Sequence, residues 1–173
     1  MKTRILAIAA AAILVAQGAQ ASDGTITFNG QLTNATCTIT GGGNQTVTLP
    51  TLSTATLAST GNTAGDTLFD IKLTGCSAGV ATATAYFEAG ANTDAVTGRL
   101  KSTGTASNVQ IQLLNSNGSL VNVAAPSVAG QGTQAATITS NAGTQSFIAR
   151  YYATGATTAG TVASSVTYSM VYN

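Results

Sequence analysis

Histidine and tryptophan are absent from this sequence, and charge is scarce: Asp, Glu, Lys and Arg together make up 6% of 173 residues, against about a quarter in an ordinary domain. Without histidine the commonest general base and metal ligand is missing, which removes Ser-His-Asp and Cys-His catalysis and most zinc chemistry. Six Lys/Arg against five Asp/Glu leave a formal charge of +1. No basic stripe exists, so the electrostatic footprint of a nucleic-acid binder is lacking. The acids Asp23, Asp66, Asp70, Glu88 and Asp94 offer little for acid-base work. Asp66 and Asp70 are nearest in sequence, yet on an extended strand they lie ~13 Å apart, beyond the usual carboxylate separations of glycoside hydrolysis. Serines and threonines abound with no base to activate them. The expectation is no enzyme, no cofactor and no metal site.

What the chain does have is 44% hydrophobic residues, which argues against charge-driven disorder, and a mix of Ala and Thr with 19 glycines that suits thin strands and turns better than helices. The length suits one core. Apolar and polar residues alternate with period 2 between Gly, Asn and Ser punctuation. Strands are predicted at Gly24 to Phe28, Leu32 to Ile39, Val47 to Leu49, Leu68 to Leu73, Thr82 to Glu88, Val109 to Leu114, Ala135 to Thr139, Phe147 to Ala153 and Gly160 to Asn173. Asn115-Ser116-Asn117-Gly118 and Asn141-Ala142-Gly143 read as turns. Only Ser53 to Ser59 suggests a helical turn, with Ser53 as its N-cap. Strands at this spacing, without helical layers, predict an all-β immunoglobulin-like sandwich.

Lys2 and Arg4 precede the apolar run Ile5 to Val15, and Ala19-Gln20-Ala21 follows. That order is a secretory signal peptide over residues 1–21, with an apolar run too short to span a bilayer. Cleavage after Ala21 leaves four Lys/Arg against five Asp/Glu and a mature chain starting at Ser22; no membrane insertion is expected. In an exported chain the two cysteines, Cys37 and Cys76, read as a disulfide. Closing that loop stabilises the fold by roughly 4 kcal/mol in the chain-entropy description.

The two ends carry the most information. From Gly160 to Asn173, Val162, Val166, Tyr168, Met170 and Tyr172 share one face with Ser164, and small polar residues dominate the other. A terminal strand this regular needs partners on its edges, because unpaired N–H and C=O groups beside apolar side chains invite another chain to dock. An interior strand that simply ends the domain fits the pattern equally well. At the other end, Gly24, Ile26 and Phe28 alternate with Thr25 and Thr27 before the break at Asn29-Gly30. With that break as a hinge, residues 22–30 can leave their own domain and pair with a neighbour's edge.

Thr27-Phe28-Asn29-Gly30 leads to Asn34-Ala35-Thr36-Cys37, followed by Leu57, Gly61, Phe69, Ile71, Leu73 and Cys76. Gly160 stands fourteenth from the end, and Tyr172 is penultimate. In these features the chain resembles the major pilin subunits of chaperone-usher, type 1-like fimbriae of Gram-negative bacteria. The resemblance implies an incomplete immunoglobulin-like sandwich over residues 31–173, of six strands plus an N-terminal donor strand, with the seventh strand supplied in trans. It implies Gly24, Ile26 and Phe28 as donor residues and Gly160, Val162, Val166, Tyr168, Met170 and Tyr172 as the acceptor strand. The terminal carboxylate of Asn173 becomes the anchor of a periplasmic pilus chaperone. Identical subunits and an outer-membrane usher are the other implied partners, and a cell-surface fimbrium is the destination. The donor segment ahead of Phe28 is six residues, shorter than in many enteric major pilins; cleavage after Gly18 would lengthen it. A minor or adaptor pilin shares both ends and the same size. A tip adhesin is not expected, because a receptor domain ahead of the sandwich needs more length than this chain has; another exported sandwich serving as a binding module is the remaining alternative.

Overall fold

The computed structural model describes residues 24–30, 32 and 34–173. The predicted signal peptide lies outside the described residues. Two compact units are distinguished, residues 1–33 and 34–173. In the first, Gly24 to Gly30 belong to no strand of the single chain, and the side chains of Ile26 and Phe28 are 80% and 88% exposed.

In the second unit eight strands form two antiparallel sheets. They are β1 (Thr38–Ile39), β2 (Thr63–Thr74), β3 (Thr82–Glu88), β4 (Leu100–Lys101), β5 (Val109–Asn115), β6 (Ala136–Thr137), β7 (Gly143–Ala153) and β8 (Thr167–Tyr172). One sheet has the order β1-β2-β7-β5-β4, the other β6-β3-β8. The period-2 reading places Phe69, Ile71 and Leu73 inward on β2, and Ile71 and Leu73 are almost completely buried there. Phe87 of β3 meets Phe147 of β7 edge-on at 5.1 Å, and Phe147 stacks on Phe69 at 5.5 Å. These rings tie the two sheets together, since edge-to-face and offset pairs add to the gain from burial alone. Cys37 and Cys76 form the predicted disulfide, beside the short β1–β2 pairing of Thr38 with Thr74 and Ile39 with Leu73.

Local chemistry sets the connections. Ser53 caps a 3₁₀ turn at Thr54–Leu57 by accepting from the Ala55 N–H at 3.3 Å, as the sequence indicates. Between β6 and β7 the chain reverses at Ser140 and Asn141, both at positive φ, closed by the Thr139–Ala142 bridge; this is the type I′ geometry that matches strand twist. A single helical turn, α1 (Val128–Gln131), starts at Ser127, whose hydroxyl accepts from the Gly130 N–H.

Several strands differ from their predicted extents. Val47 to Leu49 joins no sheet, although both side chains pack half-buried against the core. The predicted strand to Ile39 shrinks to two paired residues, and Ala135 to Thr139 also keeps only two. The terminal strand is paired from Thr167, not from Gly160. Each loss has one cause: alternation reports a buried face, while a strand also needs a neighbour for its backbone. Conversely β4, α1 and the first residues of β2, Thr63 to Thr67, carry too little apolar pattern to stand out.

Candidate functional site

β8 forms the edge of the three-stranded sheet. It pairs with β3 along its whole length, from Ala83 opposite Tyr172 to Glu88 opposite Thr167. Just before it, residues 161–165 run against residues 101–106 through a mixed set of bonds. The Thr103 and Ala106 N–H groups donate to the Ala163 and Thr161 carbonyls at 2.8 and 3.0 Å. The Ser164 hydroxyl donates to the Lys101 carbonyl at 2.9 Å, and the Asn92 amide donates to Ser165. Gly160 sits where this contact begins: a Cβ there would lie 2.6 Å from the Ala106 nitrogen, and one on Gly104 would lie 2.1 Å from the Thr161 carbonyl oxygen. Two backbones touch at this crossing, which is the reason for glycine at both positions.

From Thr161 to Asn173 the burial alternates without a break, half-buried at every even position and exposed at every odd one. Val162, Val166, Tyr168, Met170 and Tyr172 pack against the core while staying partly open. On the side away from β3 no further strand is paired with β8 among the described residues. A half-buried apolar row therefore borders an open ladder edge.

Tyr168 reaches out from this row. Its ring lies 6.4 Å from Phe87, and its hydroxyl donates to the Gly43 carbonyl at 2.9 Å. It thereby touches the turn leading into the extended, unpaired segment of Val47 and Leu49. A small concavity of about 20 Å³ lies at this junction, with Gly43, Asn44, Ile71 and Tyr168 among its walls. Burial raises the Tyr168 hydroxyl above its ordinary pKa, and neighbouring Tyr172 adds to the effect. At the end of the row, the Asn173 N–H donates to the Thr82 carbonyl, while its backbone oxygen accepts from the Ala81 and Thr82 N–H groups at 2.7 and 2.8 Å.

The described acids each have a partner suited to structure, and two of them, Glu88 and Asp70, border the site. Asp66 faces Arg150 at 3.9 Å on the surface, and Asp70 accepts from the Ser146 hydroxyl. Glu88 accepts from Thr167, and Asp94 accepts from the Val96 and Thr97 N–H groups and from Gln110. Asp23 lies outside the described residues. No group of three or more potential metal ligands occurs among the described residues, and none of their helices is long and apolar enough to cross a membrane.

Sequence reasoning missed Gly104 and the buried amides Gln131, Gln145 and Asn115. An isolated glycine or glutamine leaves no periodic trace, so only its neighbours in space reveal its role.

Comparison with known proteins agrees with this architecture. Residues 49–173 match the family described as FimA, type-1 fimbrial protein, A. Over 164 residues the chain is 48% identical to the major fimbrial subunit SMF-1 of Stenotrophomonas maltophilia, covering 90% of this chain and 95% of that one. Over 159 residues it is 45% identical to the F17 fimbrial protein of Escherichia coli, covering 88% of each. Among solved structures, the P pilus rod subunit PapA superposes with a TM-score of 0.57 at 15% identity, over 79% of this chain and 99% of that one, a likeness of fold. The fold is thus an incomplete immunoglobulin-like sandwich, and the chain belongs to the type-1 fimbrial protein family.

Proposed function

We propose that this chain is the structural shaft subunit of a surface fimbrium and polymerises by lending its N-terminal segment to a sister molecule. The observation that carries the reading is the half-buried apolar row of residues 162–172 beside an unpaired edge. Such an edge is a template for strand addition. Gly24, Ile26 and Phe28 supply the matching period: Ile26 and Phe28 are exposed in the single chain, and burying each in a neighbour contributes ~1.5–3 kcal/mol. Each main-chain bond of the new ladder adds about 1 kcal/mol. In this scheme a periplasmic chaperone first occupies the edge and anchors on Asn173, and an outer-membrane usher exchanges it for the next subunit. The name of the relative SMF-1, a major fimbrial subunit, favours a shaft role over a minor one.

The test is to append a copy of Asp23 to Gly30 to the C-terminus through a short linker. The self-complemented chain should unfold at a substantially higher temperature than the mature chain, and an unchanged midpoint would sink the reading. Deleting Gly24 to Phe28 should abolish fibres and leave chaperone binding intact.

A further inference from the structure

The sheet β6-β3-β8 has a second place where a strand could add. β6 covers only Thr82 and Ala83 of β3. Beyond that, every second residue of β3 turns its N–H and C=O to the side away from β8, where backbone pairing stops. Two side-chain amides take over. The Ala85 N–H donates to Oε1 of Gln145 at 2.8 Å, whose Nε2 passes the bond on to the Gln134 carbonyl. Two residues along, the Phe87 N–H donates to Oε1 of Gln131 at 3.0 Å, and Nε2 of Gln131 donates back to the Phe87 carbonyl. A primary amide carries the same donor and acceptor as a peptide group, so the pair continues the ladder that β6 leaves unfinished.

Both amides are deeply buried, at 1% and 4% exposure, and each is fixed from behind. Gln131 closes α1, and its Nε2 also reaches the Val123 carbonyl. Asn115 holds the connecting segment by donating to the Gly132 carbonyl and accepting from the Gln134 N–H.

We infer that Gln131 and Gln145 are specificity-determining residues for assembly: they seal the second edge of β3, so that a donor strand can enter only beside β8. This rests on the donor-strand reading above and adds direction to it. A subunit with one sealed and one open edge accepts one donor and gives one, which produces an unbranched thread. With both edges open, each subunit could accept two.

The experiment uses assembled fibres and a fluorescent peptide of residues 22–30. In wild-type fibres the β8 edges are filled, so uptake should be negligible per subunit. Fibres of Gln131→Met and Gln145→Met should take up peptide approaching one per subunit and should branch in electron micrographs. Val123→Ala, a fully buried neighbour, serves as the control: it lowers the unfolding temperature without freeing a ladder group and should take up none. If the glutamine variants take up no more than Val123→Ala at matched thermal stability, or fail to assemble while their subunits still refuse a second peptide, the sealing role is overturned. Uptake of one peptide per subunit by wild-type fibres also overturns the sealing role if deleting Gly24 to Phe28 abolishes fibres; if that deletion leaves fibres intact, the donor-strand reading falls instead.

Discussion

Single residues decide whether the open edge can exist. Gly104 and Gly160 allow residues 104–106 and 160–161 to touch backbone to backbone, which holds the first half of the apolar row in line. Gly104→Ala forces that contact apart and should cost about 1–3 kcal/mol, as overpacking usually does, read as a lower unfolding temperature. Titration gives two further tests. Asp94 accepts from the Thr97 N–H, from Gln110 and from the Val96 N–H, in that order of effect, and is held below its ordinary 3.8. Its contribution is complete above the ordinary carboxylate range and is lost as pH falls through the lowered value. Asp94→Asn should therefore flatten the acid limb of the stability curve. Tyr168 behaves oppositely: its proton is held more tightly in the folded chain than in the unfolded one, where the ordinary value is 10.0. Stability from this group is intact below that value and declines as pH climbs past it. Tyr168→Phe should remove that alkaline dependence and, with the lost bond to Gly43, cost about 1 kcal/mol.

At the scale of elements, the strands with apolar alternation on a packed face were legible. Residues 82–88 emerge at their predicted bounds as β3, and Phe69, Ile71 and Leu73 face the core on β2. The terminal alternation was equally readable, because half-burial follows period 2 whether or not a neighbour is present. Pairing was not readable: Val47 and Leu49 look like a strand and pack like one, but no ladder partner is supplied. The buried amides were invisible for a related reason. On β5, Gln110 and Gln112 alternate with apolar residues, yet both are buried, with Arg150 lying over Gln112 through bonds of 2.8 and 2.9 Å. The proposed donor segment belongs to this scale as well. Ile26→Ala and Phe28→Ala should each weaken the junction between subunits by ~1.5–3 kcal/mol, measured as dissociation of fibres at lower denaturant, while the fold of residues 34–173 stays unchanged by circular dichroism.

For the whole molecule, the disulfide is the covalent link between the start of the sandwich and the entry to β3. Cys37→Ser should cost about 2–5 kcal/mol and reduce the yield of folded subunit recovered from the exporting cell. The bond has a mechanical consequence too. In the proposed thread, tension arriving through Gly30 meets Cys37 and crosses at once to Cys76, so the 39-residue separation between them is excluded from the load path. About 130 Å of chain is thereby kept from unravelling in each bead of a stretched thread. Force spectroscopy should show every unfolding step lengthening by that amount once the bond is reduced.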